Sequence, residues 1–379
     1  MRILNSYNEI ISIGKECLSN HSSNKHGSWE QSMEAFENTI QYIFNYLHHS
    51  CYLLCITNGV PTIYKIVNKK TISKVAKTLK HRKFKIKHKT WRVIQCIVKE
   101  HSYHESTTVE WERFFKEFPY KLPDGAFILN LTDAVLLRKD RTNPWPMVPN
   151  DIGKYKFSKF IPILGGSGKI GYEDIPIPNY DDIRIVLGYD KIPEFETNWD
   201  NKKDIAVFRG TPTGCGTTEK TNMRLKISTL KNQSLNAGIV KYSSIKFKFD
   251  PIIGLSTIDS SKFKTVSFMD MVEQSKHKYI IHIDGNVAAY RLLKTMLTNS
   301  VILKVEGEYT LWVDELLQPM KHYIPIKSDL SNLLEMIEWC KQNDSKVRKI
   351  AERGYEFAKK ALTKEYICTS ILNTLNSVV

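Results

Sequence analysis

Two short stretches of this sequence carry the residue types that hold an anion. The first, residues 205–218 (IAVFRGTPTGCGTT), runs from a β-branched strand pattern into a turn with three glycines, a proline and four threonines. Apolar positions return at helical spacing after residue 220, with Arg224 just inside. Glycines such as Gly210 let the backbone approach an oxygen closely, N–H groups at a helix start point at it, and the hydroxyls of Thr211 and Thr213 add donors. Arg209 and Arg224 bracket the loop, each with a planar fork that suits phosphate. The second stretch, residues 279–291 (YIIHIDGNVAAYR), repeats the plan. A strand leads to the turn Asp284-Gly285, and a helix is expected to open with Val287, Ala288, Ala289 and Arg291. A surface turn rich in Gly and Thr is the plain alternative for the first stretch alone. Two such edges facing each other would make a diphosphate cleft.

The elements that must position these residues are those of an α/β protein. Residues 126–131 form a buried-strand pattern that stops at Thr132-Asp133. In open α/β sheets chemistry collects just past the carboxyl ends of strands, although an Asp there can equally cap the next segment. Residues 29–48 repeat apolar positions at helical spacing, and residues 52–67 read as two strands around Asn58-Gly59. A short aromatic helix is expected at 111–118. Residues 292–297 continue the helix expected near Ala288, and 299–305 form the next strand. Helices follow at 330–339, with Ser328 or Asp329 as cap, and at 345–360. Gly165-Gly166-Ser167-Gly168-Lys169 fails the P-loop spacing, since Ile163 and Ile170 stand where Gly and Ser/Thr belong, and is expected to be a flexible loop. Asp181-Asp182, without His or Cys nearby, reads as a turn or helix cap.

Phe208-Arg209-Gly210, then Asp284-Gly285 with Ala288-Ala289-Tyr290-Arg291, then residues 317–330 (LQPMKHYIPIKSDL) occur in an order and spacing that resemble glycosyltransferase family 90. Upstream, Leu122-Pro123-Asp124 followed by residues 127–133 (FILNLTD) is similar to the same family. The likeness runs from about residue 122 to about 362. It implies a GT-B arrangement, two Rossmann-like domains facing each other across a cleft. It also implies a UDP-sugar donor of the glucose or xylose class, a glycan or protein hydroxyl as acceptor, and inverting transfer with neither metal nor cofactor. Under this resemblance Asp133 is the general base, and Glu308 sits where such enzymes often hold the donor ribose or sugar hydroxyls. One departure concerns residues 134–137 (AVLL), where relatives usually place an aromatic residue and a proline. The expected division is an acceptor-side domain over 1–190 and a nucleotide-sugar domain over 191–355, with a helix over about 356–379 packing back on the first.

The 379 residues suffice for two domains, and 42% hydrophobic with 25% charged residues is ordinary for a soluble globular protein. No apolar run approaches the roughly 18 residues that span a membrane. The first nine residues turn polar too early for a signal peptide, and the C-terminus lacks a retention tetrapeptide, so a cytoplasmic location is expected. Seven scattered cysteines do not form a disulfide framework and read as buried free thiols. A net charge of +15 calls for an anionic partner: nucleic acid, an anionic glycan acceptor, or peripheral contact with a membrane surface. Its densest part, residues 69–89, holds ten Lys and Arg and no acid, which equally describes a solvated basic face. Two other classes compete with a glycosyltransferase. A basic nucleic-acid-binding protein would rest on that run, yet has no RNP aromatic pair, zinc knuckle or helix-turn-helix signal. A catalytically inactive, glycan-binding family member is opposed by the joint presence of Asp133, Arg224 and Arg291.

Overall fold

The computed structural model describes residues 2–19, 25–26, 29–47, 51–67, 105–140, 157–242 and 248–379; the basic run at 69–89 lies outside them. The chain divides into two compact units, Met1–Leu187 with Lys364–Val379 (unit 1) and Gly188–Thr363 (unit 2). Both are α/β.

Unit 1 holds β1 (Arg2–Leu4), α1 (Tyr7–Leu18), α2 (Met33–Ile40), β2 (Cys51–Thr57), β3 (Val60–Ile66), α3 (Glu105–Lys116), β4 (Gly125–Asn130), β5 (Ile163–Gly165), β6 (Ile175–Pro176) and α4 (Tyr180–Val186). Its strands lie in the order β1-β3-β2-β4-β5-β6. The β2–β3 hairpin turns on Asn58 and Gly59, with φ of 54° and 76°, the double left-handed conformation of a two-residue turn. That antiparallel hairpin makes the sheet mixed, with β5 and β6 parallel to β4. All six residues of β4 are buried.

The single helix expected over 29–48 is broken. Trp29–Glu30 is a short strand, Ser32 caps α2, and Gln41–Leu47 continues as a wider π-type helix. The widening keeps Tyr42, Ile43 and Phe44 all inside, where the Tyr42 hydroxyl donates to the Leu136 carbonyl at 2.7 Å. Nor is 165–169 an open loop: Gly165 closes β5, and Ser167 and Gly168 are buried. Asp182 completes a reciprocal cap with Asn179 at the start of α4, so the Asp pair does serve a helix start.

Unit 2 holds β7 (Lys203–Gly210), α5 (Met223–Thr229), β8 (Leu235–Ile239), the hairpin β9 (Lys248–Asp250) and β10 (Gly254–Ser256), β11 (His277–His282), α6 (Leu292–Met296), β12 (Val301–Val305), β13 (Ile324–Ile326), α7 (Leu333–Gln342) and α8 (Asp344–Ala361). Its main sheet, β8-β7-β11-β12-β13, is parallel throughout. Phe208, Tyr279, Ile281, Leu303 and Ile324 pack with Ile337 and Ile350 in one core. Helix α7 starts later than expected because Leu330 takes a left-handed φ of 61°, and neither Ser328 nor Asp329 caps it. Asp329 instead accepts from the Ser331 N–H at 2.9 Å. Past α8 the chain re-enters unit 1 as α9 (Lys364–Ser377), which buries Ile367, Cys368, Ile371 and Leu375. Among the described residues the cysteines are free thiols, buried except for Cys215, and no helix is long and apolar enough to cross a membrane.

Candidate functional site

Strand β7 is flanked by β8 on one side and β11 on the other, so successive connections leave it in opposite directions. Where strand order reverses in a parallel sheet, the loops past the carboxyl ends part and leave a crevice. The two loops at this point are residues 211–222, after β7, and 283–291, after β11. They are the two stretches singled out in the sequence.

The first loop is fixed by polar side chains from three places. Gly214 and Gly216 take φ of +94° and +90°, and a Cβ on Gly216 would fall 2.5 Å from the Thr221 carbonyl oxygen. The Asn222 carboxamide oxygen accepts from the N–H groups of Arg224 (3.0 Å) and Leu225 (3.3 Å), starting α5, while its NH2 donates to the Thr213 carbonyl at 3.2 Å. Asp250, fully buried at the end of β9, accepts from the Thr217 N–H (2.8 Å), the Thr221 hydroxyl (2.5 Å) and the N–H groups of Ile252 (3.0 Å) and Ile253 (3.2 Å). Burial acts to raise this carboxyl, but those donors overcome it and hold the group well below the usual carboxylate range. Lys248 donates to the Pro212 carbonyl, and burial brings its ammonium down to about 8.

The second loop is locked to the first. Arg224 donates from Nε to the Asp284 carbonyl (2.9 Å), from Nη1 to the Thr211 carbonyl (3.1 Å) and Thr213 hydroxyl (2.7 Å), and from Nη2 to the Ile283 carbonyl (2.8 Å). Burial first, then the neighbouring Arg291, lowers its pKa to about 10. The Gly214 N–H donates to Asn286 Oδ1 at 2.8 Å. A Cβ on Gly214 would lie 2.8 Å from the Gly285 carbonyl oxygen, and one on Gly285 2.7 Å from the Thr213 hydroxyl. Only glycines permit this crossing. The Asp284 carboxylate accepts from the Ala289 N–H at 3.0 Å, and burial raises its pKa. Together with the Gly285 N–H to Val287 carbonyl bond at 2.9 Å, it closes residues 284–289 into turns. The helix expected to open near Ala288 therefore begins only at Leu292, with Arg291 as its N-cap.

The arginines divide sharply. Arg209 donates to the carbonyls of Phe208 (2.9 Å), Asn236 (2.8 Å) and Ser267 (3.1 Å) and to Asn236 Oδ1 (2.8 Å), so its guanidinium is tied to the β8 flank. Its carbonyl accepts from Arg291 Nη1 at 3.2 Å. That is the one hydrogen bond of the half-buried Arg291 side chain among the described residues, where no carboxylate pairs with it. Burial lowers its pKa. The N–H groups of Val287 and Ala288 likewise meet no acceptor among the described residues. His282, 2% exposed at the end of β11, has an unpartnered Nδ1. Burial and the charges of Arg291, Lys304 and Arg224 depress its pKa well below the ordinary value, which keeps the ring neutral. Glu308 lies exposed on the loop after β12, where a Cβ on the preceding Gly307 would sit 2.5 Å from Asp284 Oδ2.

Asp133 belongs to unit 1, just past β4. The chain there folds around the Asn130 side chain, whose Oδ1 accepts from the Thr132 N–H (3.1 Å) and hydroxyl (2.7 Å) while its NH2 donates to the Ala134 carbonyl (2.5 Å). Asp133 stands exposed at the bend. Its carboxylate accepts no hydrogen bond and forms no ion pair among the described residues, so it caps nothing. Partial desolvation raises its pKa above the ordinary aspartate value. An unengaged carboxylate of raised pKa suits proton abstraction.

The structure thus brings Thr211, Thr213, Arg224, Asp284 and Gly285 together where the two loops cross, with Ala289 bonded to Asp284, Arg291 bonded to the Arg209 carbonyl, Gly210 closing β7, and Glu308 on the loop after β12. Asn222, Asp250, Asn286, His282 and, in unit 1, Asp174 were not singled out as site residues. Asn222 had a signal, an Asn before an apolar-periodic segment. Asp250 had none, because its partners lie some thirty residues upstream. Among the described residues no cluster of three or more His, Cys, Asp or Glu side chains could hold a metal ion.

In parallel α/β sheets, ligands commonly bind past the carboxyl ends of the strands where the strand order reverses, as it does at β7. The chain belongs to glycosyl transferase family 90, whose profile matches residues 49–377. It is 32% identical over 251 residues to Protein O-glucosyltransferase 3 of Homo sapiens, covering 64% of this chain and 44% of that protein. It is 31% identical over 312 residues to the uncharacterized protein 035R of Invertebrate iridescent virus 3, covering 76% of this chain and 28% of the other. The chain thus spans less than half the length of these two relatives. Anabaena HepE in complex with UDP-glucose shares 13% identity over 52% of each chain, at a TM-score of 0.32.

Proposed function

We propose that this protein transfers a sugar from a UDP-sugar to a hydroxyl group of a glycan or protein acceptor, with inversion at the anomeric carbon. Asp133 takes the acceptor proton as the new bond forms. Arg291, with the N–H groups of Val287 and Ala288, receives the diphosphate and stabilises the charge that grows on it as it leaves. Arg224, Thr213, Asp284 and Gly285 hold the two loops in register, and Glu308 takes a sugar or ribose hydroxyl. The cation and amides at the crevice supply the stabilisation that a metal would otherwise provide.

The observation that carries this reading is Arg291. A recessed guanidinium with most of its donors open and no acid beside it is stabilised by an anion, and the switch point is where a nucleotide phosphate arrives. One of the relatives named above supports the sugar, being called an O-glucosyltransferase.

UDP-glucose and UDP-xylose are the donors to try first. Slow UDP release with water as acceptor is expected from one of them, and UDP itself should raise the melting temperature. Neither release nor a thermal shift across a UDP-sugar panel would leave the inactive-member reading in its place.

A further inference from the structure

The peptide that carries Asp133 is held at both ends. Upstream, the Asn130 side chain gathers Thr132 and Ala134. Downstream, the grip is a buried carboxylate from another part of unit 1: Asp174, 7% exposed, accepts from the Leu136 N–H at 2.8 Å through Oδ1 and from the Leu137 N–H at 2.6 Å through Oδ2. Its segment is laid against the same peptide by bonds from Glu173 N–H to the Leu137 carbonyl (2.8 Å) and from Lys139 N–H to the Gly171 carbonyl (2.9 Å). Leu136 and Leu137 are fully buried, so their N–H groups have no water to turn to.

We propose that Asp174 is the positioning residue for Asp133, its ionised carboxylate gripping two consecutive amides and thereby fixing where the base points. The inference rests on the reading of Asp133 as the base. Both oxygens must accept for the grip to hold. Protonation makes one of them a hydroxyl oxygen, a far weaker acceptor, and the two-point grip is lost.

The charges around Asp174 leave that proton within reach of neutral pH. Burial dominates and raises its pKa to about 7, against the opposing pull of the Leu136 and Leu137 amides, with Glu173 adding a like charge. Tyr172 lies alongside, under Arg138 at 5.8 Å and Lys169 at 5.6 Å, and Arg138 is itself paired with Asp140 at 2.9 Å. A carboxyl raised in the folded state makes folding less favourable as pH climbs from its unfolded value, about 4, to its folded one. Function runs the other way, since the grip forms only on ionisation.

The test uses the full chain, with UDP-glucose as donor, water as acceptor, and NMR of the Asp133 carboxyl. In wild type the Asp133 signal should show a second inflection near pH 7, and the Leu136 and Leu137 amides should exchange at least tenfold faster, after correction for intrinsic rates, below that pH than above it. In Asp174→Asn the inflection should vanish and UDP release should fall at least tenfold, with the Kd for UDP unchanged. A folded Asp174→Asn with wild-type release and an unaltered Asp133 titration would overturn the proposal. If that variant does not fold, flat protection of the two amides across neutral pH in wild type does the same. Asp133→Asn separates the two readings: release at the wild-type rate removes the base, whereas release lost there but kept in Asp174→Asn removes only the positioning role.

Discussion

In the unit 2 crevice, Asn222, Arg224 and Asp250 are engaged by backbone and hydroxyl groups, while Arg291 keeps most of its donors open. Past β4 in unit 1, Asn130 and Asp174 take up the surrounding amides and carbonyls, while Asp133 is left with none. Each region therefore separates saturated side chains that set geometry from a charged side chain left largely unsaturated. The supports differ in kind. Asp250 receives two hydroxyls and several N–H groups, enough to overcome burial and stay ionised at low pH, whereas Asp174 receives two amides and burial wins. The Asp250 support of unit 2 therefore stays ionised across neutral pH, whereas the Asp174 support of unit 1 does not.

The largest effect should come from the unsaturated group in unit 1. Asp133→Asn removes the proton acceptor and touches no internal bond, so transfer should drop by about 10²–10⁴, the range for general base catalysis. UDP affinity and melting temperature should stay at wild-type values. A loss of stability as large as the loss of rate would show that Asp133 belongs among the supports.

The two crevice arginines sharpen the contrast within unit 2. Arg224→Ala leaves three carbonyls and a hydroxyl without their donor, and unfolding free energy should fall by about 3 kcal/mol, as for a buried bond network broken from one side. Arg224→Lys should not restore it, because one ammonium cannot span that fork. Arg291→Ala should leave unfolding nearly unchanged and weaken UDP binding by about 1.5–3 kcal/mol, the value of a charge-assisted bond. Denaturant titration beside calorimetry separates the pair. Equal effects of both variants on both measurements would erase the distinction between support and contact.

Asp250→Asn probes the pH side of the comparison. A carboxyl held below its unfolded value of about 3.9 contributes stability that is present above that pH and lost as pH falls through the folded value. The variant should therefore be less stable than wild type at neutral pH, and the gap should narrow on acidification. A gap that stayed constant into the acid range would mean that Asp250 is not held ionised.

Much of this was legible in the sequence, and the misses share a cause. The two glycine loops, the hairpin at Asn58-Gly59 and the strand before Asp133 follow from local residue types whose backbone demands are strong. The helix expected near Ala288 failed because Asp284 closes a turn on Ala289, a choice the apolar pattern does not encode. Residues 29–48 broke where Ser32 caps α2 and again where the helix widens at Gln41, neither of which the apolar spacing encodes. Arg209 and Arg224 both read as phosphate clamps; which carbonyls would engage them depends on β8 and on the second loop. Asp250 and Asp174 act on residues distant in sequence, where spacing carries no signal.

Asn286→Ala carries the smallest effect and tests how the two loops are joined. Its bond with the Gly214 N–H lies at the exposed rim of the crossing, where water replaces a lost partner. The cost alone should be below about 1 kcal/mol. Arg224 ties the same loops from beneath, so the two bonds share whatever free energy holds Gly214 against Gly285. Once Arg224 is removed the loops can part, and Asn286 then has little to hold. In a double-mutant cycle the pair should couple by about 0.5 kcal/mol or more, with the second substitution costing less than the first. Strict additivity would mean that the glycine contact keeps the loops together unaided. The crevice would then owe its shape to the absence of side chains at Gly214 and Gly285, not to the polar bonds around them.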